Sequence, residues 1–216
     1  MKIYLVAGGP SQYIPSLKDF HQEDVVWIGI DRGVRYLLNE DIRPNIAIGD
    51  FDSILSTELE LFRQVVPSLK IFKPEKDETD MELALRLALE KNPVEMKIFG
   101  ATGGRLDHLF ANIHLLSWIL KENPELSVEV IDRQNIVFVR KPGTYHLPKI
   151  FDMKYVSFIP LSEEVKDLTL VGFKYPLKNR NILFSSTLCI SNELILDYGT
   201  FSFSEGILMV VRSRDD

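Results

Sequence analysis

The first 131 residues alternate short apolar runs with helix-forming stretches, and then the alternation stops. The runs fall at residues 3–7, 25–30, 45–48, 69–72, 96–99 and 128–131, bounded by Gly, Pro and Asp. Short runs of this kind read as strands buried on both faces. Residues 81–90, between two of them, are rich in the helix formers Leu, Ala and Glu. Thr79 stands at their start with Glu82 three residues on, the pattern of a capping box. Leu106, Leu109, Phe110, Ile113, Leu116 and Leu120 form one apolar helical stripe, stopped by Asn123-Pro124. The alternation predicts an α/β fold, a mostly parallel sheet flanked by helices.

Beyond Asp132 no long helical period follows. Short β-rich runs appear at 136–139, 155–159, 165–171, 183–188, 194–196 and 207–211, with turn signals at Lys141-Pro142-Gly143 and Tyr198-Gly199. They predict a small antiparallel β-sandwich or barrel. Two domains are expected, residues 1–135 and 136–216.

The net charge of −6 repels a nucleic-acid backbone, so no nucleic-acid partner is expected. It leaves room for a small nucleotide, because a bound divalent cation reverses the local sign. The single cysteine, Cys189, has no internal disulfide partner and sits in the apolar string Leu188-Cys189-Ile190, the setting of a packed, inert thiol. The apolar run at 3–7 is too short for a signal-peptide core or a bilayer span. A cytoplasmic protein without a membrane partner is expected.

Four aspartates follow the predicted strands. Asp31 follows 25–30; Asp50 and Asp52 follow 45–48 in GDFDS from Gly49; Asp80 follows 69–72 through KPEKDETD from Lys73. Ligands of an open parallel sheet bind at the carboxyl ends of its strands, so separate loops can bring these carboxylates to one place. Neighbouring carboxylates repel one another and a triphosphate alike, and a hard divalent cation with oxygen ligands resolves both problems. Each aspartate also has a simpler reading. Asp50 can cap a turn, Asp52 or Ser53 a helix; Asp80 suits a helix N-terminus, and Asp31 a turn.

The string GATGGRLDH from Gly100 leads from a predicted strand straight into the Leu106 helix. Glycines let backbone approach a phosphate, a helix N-terminus offers free N–H groups, and Arg105 adds a fork of donors. Asp107 can orient Arg105 or contact a metal's surroundings. The string fits neither the P-loop nor G-x-G-x-x-G, and a plain strand-to-helix turn is the alternative. His108 reads as an ordinary helix residue, and His21, His114 and His146 lack metal-ligand spacing.

GDFDS from Gly49, PEKDETDMELAL from Pro74 and GATGGRLDHLFANI from Gly100 resemble the three signature strings of bacterial thiamine pyrophosphokinases, in order and in spacing. YPLK from Tyr175, SNE from Ser191 and a glycine-led strand at Gly206 extend the resemblance through the second half. The resemblance implies a homodimer with ATP along the α/β domain and thiamine between that domain and the partner's sandwich. It implies transfer of a diphosphate group from ATP to the thiamine hydroxyl, by direct in-line attack, with AMP leaving. Asp50, Asp52 and Asp80 would hold Mg²⁺ and phosphates and, with Asp107, form the catalytic group, Asp31 supporting them. Lys76, Asp77, Thr79, Gly103, Gly104 and Arg105 would hold the nucleotide. Ser191 and Asn192 would reach thiamine from the neighbouring subunit, and one of Phe173, Tyr175 and Phe184 would stack on it, each having the alternative reading of sandwich core. Asp80, Asp107 or solvent would take the hydroxyl proton. Where the family commonly reads Ala-Asp-Gly-Gly, this chain has Ile30-Asp31-Arg32-Gly33. Two other readings of the residues are a phosphatase or phosphotransferase with Asp50 as nucleophile, and a non-enzymatic module that senses nucleotide or thiamine.

Overall fold

The computed structural model describes residues 1–52, 54–73 and 75–215. Ser53 and Pro74, which belong to the two acidic strings, lie outside the described residues. The chain forms two compact units, Met1–Leu115 with Leu126–Arg133, and Leu116–Glu125 with Gln134–Asp216.

The first unit is built on β1 (Lys2–Val6), β2 (Val25–Ile30), α1 (Gly33–Asn39), β3 (Ile46–Gly49), α2 (Ser56–Val65), β4 (Ser68–Ile71), α3 (Asp80–Leu89), β5 (Glu95–Phe99), the first part of α4 (Leu106–Glu122), and β6 (Ser127–Ile131). All six strands are parallel, in the order β6-β5-β1-β2-β3-β4. The apolar runs explain why: Ile3, Leu5, Val6, Ile28, Met96 and Phe99 are fully buried, as strands covered on both faces must be. The strand order changes direction between β1 and β5, and in open α/β sheets the ligand crevice opens at that switch. β4 departs from the expectation of burial on both faces. It is the edge strand, and Ile71 at its end is 48% exposed.

At the start of α3, the Thr79 hydroxyl accepts the Glu82 N–H at 3.2 Å. The Glu82 carboxylate turns instead to Arg86, at 2.8 Å, so one arm of the expected capping box serves the next helical turn. Of the stripe on α4 only Leu116 is buried, and its start is exposed, with Leu106 at 66% and Phe110 at 61%; Ile119, outside the stripe, is also buried. Among the described residues no helix is long and apolar enough to cross a membrane.

The second unit carries β7 (Asn135–Arg140), β8 (Gly143–Pro148), β9 (Tyr155–Pro160), β10 (Glu164–Val171), β11 (Leu177–Leu183), β12 (Asn192–Glu193), β13 (Tyr198–Phe203) and β14 (Leu208–Ser213). They form two antiparallel layers, β12-β9-β14-β7 and β11-β10-β13-β8. Phe138, Val156, Phe158 and Val210 from one layer share a core with Val165, Leu168, Leu170 and Phe201 from the other. Phe158 and Phe201 meet with centroids 5.2 Å apart. Of the two expected forms, a sandwich is the one present.

Three expectations need correction. The turn signal at Lys141-Pro142-Gly143 does separate β7 from β8, but β8 itself is not among the expected strands, and Tyr198-Gly199 is no turn: it opens β13, which pairs with β8, Gly199 opposite Leu147. The apolar run at 183–188 is not a strand; β11 ends at Leu183, and Leu183, Phe184 and Leu188 are exposed. At 194–196 only Leu194 pairs, in a single bridge to Phe173, while Ile195 and Leu196 are exposed. In these loops apolarity does not report the core of this chain. Cys189 is buried, and burial pushes its thiol up to about 11, as expected for an inert packed residue.

Candidate active site

Three of the loops that leave the parallel strands deliver a carboxylate to one point. Asp31 follows β2, Asp50 follows β3, and Asp80 opens α3 beyond β4. One oxygen from each lies within 4.8 Å of the other two. The local backbone is shaped for this approach. A Cβ at position 49 would stand 1.9 Å from Asp31 Oδ1, so only glycine lets that carboxylate in. Asp31 and Phe51 both sit at positive φ, 47° and 56°, an uncommon conformation for a bulky residue such as Phe51. The Phe51 ring is buried against Phe62, 6.2 Å between centroids, and this anchors the turn after Asp50. Asp50 also caps that turn, its Oδ1 accepting the Asp52 N–H at 3.1 Å.

The charges of the cluster are only partly compensated. Burial, followed by the charges of Asp80 and Asp50, pushes the Asp31 carboxyl up to about 7. The Phe51 N–H and the Lys76 charge act in the opposite direction. Asp31 Oδ1 is buried and has no hydrogen-bond partner. Lys76 Nζ bonds Asp80 Oδ1 at 2.6 Å, both side chains being largely buried. Lys76 thus bonds one of three carboxylates, and a buried oxygen without a donor is what a hard cation would satisfy. The all-oxygen donor set fits Mg²⁺ or a similar ion.

The glycine loop lies at the switch between β1 and β5. The Gly9 N–H donates to the Gly100 carbonyl at 2.9 Å. Gly100 and Gly103 have φ of 65° and 78°, a region that favours glycine. The Asn112 Nδ2 donates to the Ala101 carbonyl at 3.1 Å, and the Thr102 hydroxyl to Asp132 Oδ2 at 2.7 Å. Gly103, Gly104 and Arg105 are exposed at the crest. Arg105 Nε bonds Asp107 Oδ1 at 3.1 Å, and this pairing lowers the Asp107 carboxyl. Asp107 therefore orients Arg105.

Comparison with known proteins gives the family. Residues 17–128 match the model of the thiamin pyrophosphokinase catalytic domain, and residues 144–208 that of the thiamin pyrophosphokinase vitamin B1 binding domain. The chain belongs to the thiamine pyrophosphokinase family. It is 49% identical to thiamine pyrophosphokinase of Bacillus subtilis (strain 168) over 213 residues, 99% of each chain. A crystal structure of the Bacillus subtilis enzyme superposes with a TM-score of 0.93 at 47% identity, covering all of both chains. Thiamin pyrophosphokinase from Candida albicans shares the fold at 17% identity, with a TM-score of 0.84 over 98% of this chain and 88% of the other. The activity is that of a thiamine diphosphokinase, an enzyme that transfers a diphosphate group to thiamine.

The other residues expected at a thiamine pyrophosphokinase site are placed as follows. Asp52 is exposed on the turn after Asp50, and the third carboxylate of the cluster is Asp31. Asp77 and Thr79 are exposed, Thr79 serving as the α3 cap. Arg32 is exposed, while Gly33 is buried so tightly that a Cβ there would stand 1.8 Å from the Val6 carbonyl oxygen. In the second unit, Ser191 is exposed at φ 56°, and its N–H donates to Ser157 Oγ at 2.9 Å. Asn192 is buried, and both ends of its carboxamide are engaged. Oδ1 accepts the Tyr175 N–H at 3.0 Å, and Nδ2 donates to the Tyr175 carbonyl at 2.8 Å. Of the three candidate aromatics, Phe173 is buried in the sandwich core, whereas Tyr175 and Phe184 are exposed. Asp132 was not among the expected site residues. It follows the run at 128–131 directly, so the reasoning that flagged Asp31 after 25–30 would also have found it.

Proposed function

We propose that Asp31, Asp50 and Asp80 hold a divalent cation, Mg²⁺, against the polyphosphate of ATP, and that the 100–105 loop cradles the same polyphosphate. One observation carries this reading: three carboxylate oxygens within 4.8 Å of one another at the carboxyl edge of a parallel sheet, one residue of the set keeping a buried oxygen without a partner. When bound, the cation supplies neutralisation of the charge that develops on the transferring phosphates. Lys76, through its bond to Asp80, holds that carboxylate in place. Arg105, oriented by Asp107, offers its fork to phosphate oxygens.

The chemistry this serves is in-line displacement at the β-phosphorus. The thiamine hydroxyl oxygen forms a bond to that phosphorus, the bond to the oxygen bridging the α-phosphorus breaks, AMP leaves, and the hydroxyl proton is released. The protein contributes position and charge compensation. We assign Ser191 to thiamine, and Asn192 to holding the exposed Tyr175 in place beside it, in agreement with the engaged carboxamide. A homodimer is part of the proposal. Leu106 and Phe110 on the first unit, and Val171, Ile195, Leu196 and Tyr198 on the second, are large apolar side chains left exposed, and association of two copies would cover them.

The test is turnover of the purified protein with ATP, thiamine and Mg²⁺, followed by mass detection of AMP and thiamine diphosphate. Both products appear with the cation and neither appears with excess chelator. ADP in place of AMP, or undiminished turnover in chelator, refutes the reading.

A further inference from the structure

The glycine loop is gripped from outside its own motif. Thr102, at its centre, gives its hydroxyl to Asp132, which is only 8% exposed. The next residue, Arg133, takes hold of the segment that covers the loop. Its N–H donates to the Tyr13 carbonyl at 2.8 Å and its Nε to the Ile14 carbonyl at 3.0 Å. Tyr13 and Ile14 in turn lie on the loop's glycines. A Cβ at Gly103 would stand 2.2 Å from Tyr13 Cδ2, and one at Gly100 would stand 3.1 Å from Ile14 Cδ1. Two consecutive residues at the end of β6 therefore hold the loop on one side and its cover on the other.

We infer that Asp132 and Arg133 are positioning residues that clamp the 100–105 loop in the conformation that receives the nucleotide's polyphosphate. Glycine at 100, 103 and 104 gives the loop more backbone freedom to lose on binding than other residues there would. Ordering it beforehand removes that loss from the binding step. The clamp uses polar atoms that do not reach the crest, leaving Gly103, Gly104 and Arg105 exposed for the ligand. This inference rests on the proposal that the loop cradles phosphate.

The experiment is calorimetric titration of the full-length protein with ATP and Mg²⁺, paired with KM for both substrates and with thermal melting. Thr102→Val keeps the shape and removes the hydroxyl; it is expected to weaken ATP binding about tenfold while KM for thiamine and the melting temperature hold. Thr102→Ser restores the donor and the affinity. Arg133→Met, which keeps an aliphatic stem without the Nε bond, shows the same nucleotide-selective loss and serves if Thr102→Val does not fold. Unchanged ATP affinity in a folded Thr102→Val protein overturns the clamp, as does an equal loss for both substrates tracking a lower melting temperature. Arg105→Ala separates the two layers of argument. If it weakens ATP and Thr102→Val does not, only the clamp fails; if neither does, the phosphate role of the loop fails.

Discussion

Asp31 and Asn192 are both polar residues withdrawn from solvent, and the fold treats them in opposite ways. Around Asn192 every polar atom of the side chain is used: Oδ1 accepts from Tyr175 and Glu193, and Nδ2 donates to Tyr175. Around Asp31 a buried oxygen has no donor, two further carboxylates crowd in, and the backbone at 31 and 51 is held at positive φ. A satisfied buried amide stabilises its surroundings. A crowded, under-satisfied carboxylate destabilises them and persists only where another component completes it. Asn192 holds its own segment of the sandwich in shape, while Asp31 leaves uncompensated charge at the sheet edge.

Substitutions on each side test that contrast. The largest effect is expected from Asp80→Asn, which should lower kcat more than about 100-fold, beyond the loss typical of groups that only support metal ligands. Stability of the metal-free protein changes by two opposed effects, relief of repulsion with Asp31 and Asp50 and loss of the charge facing Lys76, so turnover is the readout: a rate near the parent's removes Asp80 from the cation site. Asp31→Asn and Asp52→Asn, assayed side by side, decide which carboxylate completes the set. The geometry predicts that Asp31 matters far more.

Next in size is a pH effect. A carboxyl whose pKa in the folded protein lies above its unfolded value binds its proton more tightly when folded. Its favourable contribution is therefore present at low pH and lost as pH rises from about 4 through 7. The metal-free protein should lose stability over that window, on the order of 2–3 kcal/mol after screening by solvent. Mg²⁺ should restore it, and Asp31→Asn should flatten the slope in urea titrations run at several pH values. A flat slope in the parent protein shows that the cluster is not strained.

Arg105→Ala should raise KM for ATP about 10- to 100-fold, the worth of a charge-assisted bond, with no shift in melting temperature because the side chain is exposed. On the sandwich side the sign reverses. Asn192→Ala strands the Tyr175 N–H and carbonyl and should cost about 1–3 kcal/mol of stability, seen as a lower urea midpoint. A variant as stable as the parent would show that its three hydrogen bonds are dispensable.

The parallel half was legible because strands covered on both faces must be apolar throughout, and Ile3, Leu5 and Ile28 announce this without reference to anything distant. The sandwich was harder to read. A two-layer β domain alternates inward and outward residues, so Leu177–Leu183, with Lys178, Asn179, Arg180 and Asn181 in it, gives little signal, while the exposed run at 183–188 gives a false one. For the candidate site, position at strand ends pointed to Asp31, Asp50, Asp52 and Asp80, and motif to the 100–105 loop, each a property of a few consecutive residues. That Asp31 meets Asp50 and Asp80, that Asp52 stays exposed and that Asn192 is consumed by Tyr175 are facts about distance that residue order does not give. Residue order determined which groups stand at the ends of strands. Only the folded packing, through the bare Cα of Gly49 and the left-handed turns at Asp31 and Phe51, decided which of those groups meet, because contact depends on excluded volume in three dimensions and not on spacing along the chain.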